Sequence, residues 1–238
     1  MSKSSKPINK ETLGVEIVIT INNLERTLMV GREESLLAAL RRASYFSVKY
    51  GCDDGTCGVC TVLLNGKPVR SCKIKAADMD GAEITTLEGL SQNGELHPIQ
   101  EAFVETGAIQ CGFCTPAQIL AAKALLNKNP APTEAQIRQA LNSVLCRCTG
   151  YVRTVDAVQR AATLLRGESI APVTHLEQLL PADIHDLTLP EAYYRRGESR
   201  DPLPPLIFTP PDYAKMNVVG KSEVKVDAVK LAQGKAVF

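Results

Sequence analysis

The spacing of apolar residues changes character near residue 96. Before that point they alternate. Val15, Ile17, Ile19 and Ile21 occupy every second position, Asn22-Asn23 interrupts, and LERTLMV follows, which predicts a β-hairpin over residues 14–30. ESLLAALRRAS (34–44) puts Leu36, Leu37 and Leu40 on one helical face. CTVLLNGKPVRSC contains Asn65-Gly66, a strong two-residue hairpin signal, and ITTLEGL near residue 84 predicts a last strand. Together these predict a mixed sheet crossed by one helix, with a long cysteine-bearing loop at one edge.

Beyond residue 96 the period becomes 3.6. Pro98 opens a helix containing Ile99 and Phe103. Thr115-Pro116-Ala117-Gln118 reads as a second helix start, with Thr115 as cap, proline at the first helical position and Gln118 three after the cap. Thr133-Glu134-Ala135-Gln136 repeats the capping box and leads into Ile137, Leu141, Val144 and Leu145. A last helix is predicted from near Thr154, with Val155, Val158, Ala162 and Leu165 on one stripe. Short helices of this kind need mutual packing, a metal site or both. After about Gly167 the patterning fades, and eight of the fourteen prolines fall between Pro172 and Pro211. Such a tail is expected to be extended, or ordered only by lying against something. The expected class is α+β, with domains over 12–90 and 91–168 and a linker-like segment over 169–238.

Composition narrows the function little. Of 238 residues, 45% are hydrophobic and 22% charged, and the net charge of +1 gives no argument for nucleic acid or an anionic membrane. No apolar run is long enough to span a bilayer, and the start MSKSSKPINK lacks a signal-peptide core, so the expected compartment is the cytoplasm.

The eight cysteines change the picture. They form two groups of four: Cys52, Cys57, Cys60 and Cys72, then Cys111, Cys114, Cys146 and Cys148. In a reducing compartment such groups indicate metal ligands rather than disulfides. GCDDGTCGVC (51–60) gives C-x4-C-x2-C with a fourth cysteine eleven residues further on, the spacing of plant-type [2Fe–2S] ferredoxins. Zinc knuckles pair thiols differently. Gly51, Gly55 and Gly58 let the backbone curl and bring amide N–H groups near the sulfurs. The second group, C-G-F-C (111–114) and C-R-C (146–148), is less specific, and a four-thiolate zinc site fits its ligand types as well.

GCDDGTCGVCTVLLNGKPVRSC, followed by QCGFCTPAQIL and LCRCTGY, resembles the iron–sulfur subunit or domain of the molybdenum hydroxylases, the xanthine dehydrogenase and aldehyde oxidoreductase family, over residues 14–166. The resemblance implies a β-grasp ferredoxin-like domain, then a four-helix-bundle [2Fe–2S] domain, hence two [2Fe–2S] clusters held by the eight cysteines. It implies a molybdopterin cofactor bound mainly by a partner large subunit or domain, with an FAD subunit or an external acceptor receiving the electrons. By position, Gln110 matches a glutamine that hydrogen-bonds the pterin, and Cys148 matches the cysteine whose sulfur lies against the pterin. VVGKSEVKVDAVKLAQGKAVF (218–238) resembles the opening of the molybdenum-binding chain, with Gly220, Lys225, Asp227, Gly234, Ala236 and Phe238 in step. Asp53, Asp54 and Thr56 depart from the family's first loop without removing a ligand.

Several residues have a plainer reading beside the functional one. His97 is expected to cap or pack a helix rather than bind metal. His175 and His185 are expected to be solvent or interface residues. Arg147 either balances cluster charge or is a surface arginine. Tyr193-Tyr194-Arg195-Arg196 is either a docking patch or solvated linker. Asp53 and Asp54 either disfavour a reduced cluster and mark an acceptor surface, or are solvated loop residues. No nucleophile, general base or molybdenum ligand set is visible, so the chain is expected to carry electrons without binding the reacting substrate. Two other classes stand beside this one: a zinc-stabilised interaction module and a stand-alone two-cluster ferredoxin.

Overall fold

β1 (Val15–Ile21) and β2 (Leu24–Val30) pair antiparallel, from Val15 opposite Val30 to Ile21 opposite Leu24. Asn22 and Asn23 have φ of 52° and 64°, the paired left-handed turn whose twist suits two adjoining strands. β3 (Thr61–Leu64) and β4 (Lys67–Arg70) form a second hairpin across Asn65-Gly66. β5 (Glu83–Thr85) joins the two, parallel to β1 and antiparallel to β3, and gives the five-stranded order β2-β1-β5-β3-β4. The computed structural model describes residues 14–171 and 225–235, all within one compact unit. Residues 1–13, 172–224 and 236–238 lie outside the described residues.

Alternation in β1 turns Ile17, Ile19 and Ile21 inward, while Val18 faces out. Helix α1 (Leu36–Arg42) closes over them. Its start is fixed by Ser35, whose hydroxyl accepts the Ala38 N–H at 3.2 Å. Leu36, Leu37 and Leu40 pack with the β1 isoleucines, Val62 and Ile84 in one core. Each such side chain contributes roughly 1.5–3 kcal/mol. This core backs the cysteine loop and leaves it on the surface of a rigid sheet.

The second half is helical: α2 (Pro98–Glu105), α3 (Thr115–Lys128), α4 (Glu134–Leu141) and α5 (Val152–Leu165). Ile99, Phe103, Ile119, Leu120, Ile137, Leu141, Val155 and Val158 share its core. An Arg160–Glu105 ion pair ties α5 to α2, with Arg160 buried and its Nη2 also donating to the Ala171 carbonyl at 2.9 Å.

Three helix boundaries differ from the sequence reading. Cys114, not Thr115, occupies the cap of α3; it already has helical backbone angles, and Thr115 is a buried first-turn residue. Helix α4 stops at Leu141 instead of running through Val144 and Leu145, because the Leu145 N–H leaves the helix and donates to the Cys57 carbonyl. Helix α5 starts at Val152, two residues early, after Tyr151 with φ 66°.

One further helix was not expected. α6 (Ala228–Ala232) packs on the body of the chain, with Ala228, Leu231 and Ala232 buried in the helical core. The buried Gln100 side chain donates to the Ala232 carbonyl at 2.8 Å. Gly234 lies against Ser47 of the first half: an added Cβ there would meet the Ser47 Cβ at 2.9 Å. The segment thus touches both halves of the unit.

Candidate functional site

The loop between α1 and β3 is pinned at several points. Ser47 donates its N–H to Glu88 at 2.9 Å, Arg70 donates to the Gly55 carbonyl at 2.8 Å, and the Thr61 hydroxyl donates to the Gly58 carbonyl at 2.7 Å. The fourth cysteine, Cys72, sits in a short 3-10 turn (Ser71–Lys73) just beyond β4, where the Ser71 hydroxyl donates to the Cys60 carbonyl at 2.7 Å. All eight cysteines are free thiols.

The thiols fall into contacting pairs. Cys52 meets Cys57, and Cys60 meets Cys72. Cys114 meets Cys146, and Cys111 meets Cys148. The Cys57 N–H and then its side chain hold Cys52 below the usual thiol range, whereas burial pushes Cys57 up. Burial pushes Cys72 up to about 11. In the second set, burial raises Cys114 strongly. Burial would raise Cys146 too, but the Thr149 hydroxyl and N–H outweigh it and the net shift is downward. A metal binds thiolate, so either set gives up its thiol protons when it takes one.

Among the described residues, no three His, Cys, Asp or Glu side chains gather round one point as a single ion needs. Two irons sharing four thiolates ask for two pairs instead, and each loop set presents two pairs. Backbone donors also point at the sulfurs: Phe113 N–H at Cys111 Sγ and Thr149 N–H at Cys146 Sγ, both at 3.5 Å. The residues therefore fit [2Fe–2S] clusters in donor type, pairing and the amides that oppose negative sulfur.

The two sets meet. Leu145, next to Cys146, donates its N–H to the Cys57 carbonyl at 2.8 Å. Gly58, with φ 70°, lies so close to the other loop that an added Cβ would be 1.9 Å from the Ser143 carbonyl oxygen. A cavity of ≈ 210 Å³ between the loops is lined by Cys57, Cys111, Cys114, Cys146 and Cys148, with Phe113 and Arg147 among its other walls. Exposure grades across the second set. Cys111 and Cys148 are exposed, as is Gln110, while Cys114 and Cys146 are buried beside Cys57.

Residues 19–90 match the family model for a 2Fe-2S iron-sulfur cluster binding domain, and residues 86–159 match that for a [2Fe-2S] binding domain. The nicotinate dehydrogenase small FeS subunit of Eubacterium barkeri is 45% identical over 148 residues, which cover 62% of this chain and 94% of that one. The xanthine dehydrogenase iron-sulfur-binding subunit of Escherichia coli O157:H7 is 43% identical over 152 residues, 63% of this chain and 94% of that one. The chain belongs to the iron–sulfur subunits of the molybdenum hydroxylase family. Its structure is also similar to the crystal structure of the aldehyde oxidoreductase from Desulfovibrio desulfuricans, with TM-score 0.71 and 36% identity, over 94% of this chain and 21% of that one. The chain spans about a fifth of the aldehyde oxidoreductases it matches.

Other residues singled out by sequence fall as follows. His97 caps α2, its Nδ1 accepting the Ile99 N–H at 3.2 Å. Asp54 is a loop brace, accepting from the Thr56 N–H at 3.0 Å and its hydroxyl at 2.8 Å, which hold its carboxyl down to about 2. Asp53 is exposed and takes the Tyr50 hydroxyl. Arg147 is exposed on the cavity wall. Gly220, Ala236, Phe238, His175, His185 and the Tyr193–Arg196 stretch lie outside the described residues. Sequence reasoning missed Tyr151, whose hydroxyl accepts the Cys146 N–H at 2.8 Å and donates to the Val144 carbonyl at 3.1 Å, bolting the second loop. Leu231 was missed too. An added Cβ on Gly112, between Cys111 and Cys114, would meet its Cδ2 at 2.6 Å, so α6 props that loop.

Proposed function

We propose that the chain is the electron-transfer part of a molybdenum hydroxylase that oxidises an N-heterocycle, a purine or an aldehyde. Its two halves correspond to a β-grasp ferredoxin-like domain (12–90) and a four-helix domain (91–168), followed by a linker and a molybdenum-chain-like start (169–238). Cys52, Cys57, Cys60 and Cys72 hold one [2Fe–2S] cluster, and Cys111, Cys114, Cys146 and Cys148 hold the other. Bound clusters supply one-electron chemistry, so a two-electron oxidation on a partner is drained one electron at a time. A molybdopterin-binding large subunit or domain meets the exposed edge at Gln110, Cys111 and Cys148. An FAD subunit or an external acceptor takes electrons from the Cys52 side, and the assembly works in the cytoplasm.

The observation that carries this reading is the Leu145 N–H to Cys57 carbonyl bond. It joins a cysteine's own backbone in one set to the neighbour of a cysteine in the other. Electron tunnelling falls off less steeply through bonds than through open space, so this contact couples the two sets. Supporting it is the gradient from exposed Cys111 and Cys148, through buried Cys114 and Cys146, to Cys57. Reduced protein should give two distinct [2Fe–2S] EPR signals, and Cys148→Ser should impair the helical-half signal alone. A colourless protein holding zinc and no iron would overturn the reading. Co-purification of a molybdenum-containing large subunit supports the hydroxylase assignment, and a chain that purifies with both clusters and no partner points to a free shuttle.

A further inference from the structure

Gln118 lies one helical turn after Cys114 on α3 and is fully buried. Its Oε1 accepts from Cys114 Sγ at 3.5 Å. Its Nε2 is buried too and has no hydrogen-bond partner. Leaving an amide donor unmade in such a place costs about 1–3 kcal/mol, and a buried orphan of this kind asks for an explanation. Cys114 packs with Ala117, Ala121, Val144 and Cys146.

The arrangement suits a protonated thiol, which can donate to the amide oxygen. A cysteine that holds iron is a thiolate and only accepts. Oε1 would then face a negative sulfur as acceptor against acceptor, while an unused N–H sits on the same amide. The terminal amide torsion is roughly two-fold, so a half-turn exchanges oxygen and nitrogen with little change in packing. The neighbouring sulfur already has a donor of its own, the Thr149 N–H at 3.5 Å from Cys146 Sγ, and the Thr149 hydroxyl, free to donate to a thiolate, lies 3.1 Å from it.

We propose that Gln118 is a positioning and tuning residue of the helical-half cluster: with iron on Cys114, its amide is turned so that Nε2–H donates to Cys114 Sγ. This rests on the reading that Cys114 is an iron ligand. A donor to a ligand sulfur stabilises the reduced, more negative cluster, and the low local dielectric makes the bond count for more than it would in water. Gln118 therefore raises the potential of this cluster and favours electron entry there. Together with Thr149 it gives both buried sulfurs of the set a donor.

The test is an EPR-monitored redox titration of the full-length protein with both clusters loaded. Gln118→Leu and Gln118→Met both remove the donor, and each should shift the helical-half equilibrium about tenfold toward the oxidised form. That is about 59 mV for one electron. The midpoint of the other cluster should stay where it is. An unmoved helical-half midpoint in both variants overturns the proposal. If neither variant loads, the unaltered protein still decides. With its glutamine side-chain nitrogens isotopically labelled, a magnetic coupling from that nitrogen to the helical-half signal is expected, and its absence overturns the proposal. Failure of the underlying reading looks different: the unaltered protein would lack the second signal altogether.

Discussion

The N–H of Leu145 donates to the carbonyl of Cys57 at 2.8 Å, although the two residues belong to different halves of the chain. Leu145 escapes α4 to make this bond, and its side chain is left 60% exposed.

Replacing Leu145 by proline removes the donor and leaves the Cys57 carbonyl unpaired at a buried residue. The expected cost is about 1–3 kcal/mol of stability. Electron exchange between the two clusters should slow, read as a lower rate of intramolecular equilibration after rapid photoreduction. Leu145→Ala keeps the N–H and alters an exposed side chain, so its stability should stay within about 0.5 kcal/mol and its exchange rate should be unchanged. Equal rates in the two variants would mean that this bond is not the route.

Gly58 is where the two loops come closest. Its φ of 70° disfavours any side chain by roughly 1–2 kcal/mol. A Cβ would also overlap the Ser143 carbonyl at 1.9 Å, so one loop must move. Gly58→Ala should lower the melting temperature and the iron content of the purified protein. Gly66→Ala is the control: its φ is 76°, but nothing lies within 4 Å. It should carry the conformational cost alone and retain full iron.

Much of this was legible in the sequence because local chemistry decides it. The two asparagine-based hairpins, the Thr133 cap and the inward isoleucines of β1 need only neighbours a few residues away. The cysteine groups were legible because a cluster dictates the spacing of its ligands. What was hidden depends on partners far along the chain. The start of α3 read as a Thr115 cap because the composition fits one, yet Cys114 takes that place and Gln118 turns to its thiol. The end of α4 depends on a carbonyl 88 positions earlier in the chain, which no helical period reveals. Helix α6 is a short run whose sequence resembles the start of another domain, and only its seat on Gln100 and Gly112 makes it part of this one.

Leu231 tests that seat. It is 3% exposed and presses on Gly112 between two cysteines of the second set. Leu231→Ala should destabilise the chain by about 2–5 kcal/mol, as large-to-small core changes do. It should broaden or shift the helical-half EPR signal while leaving the other signal intact. If both signals respond equally, the segment stabilises the chain as a whole and does not prop that loop.

His97 makes the stability depend on pH. Burial, helped by the charge of Lys123, lowers its pKa from 6.5 to about 4. The neutral ring accepts the Ile99 N–H through Nδ1, while the His97 N–H donates to Gln100 Oε1 at 2.8 Å. Protonation turns that nitrogen into a donor and removes the cap. Between pH 6.5 and about 4 the unfolded chain binds the proton and the folded chain does not, so stability rises with pH across that window. The contribution is fully present above pH 6.5 and is lost as pH falls toward 4. Asparagine at this position is a good cap and does not titrate. His97→Asn should therefore fold about as stably as the parent at neutral pH and lose less melting temperature on acidification through this window. An identical pH profile for the two proteins would remove His97 from the account.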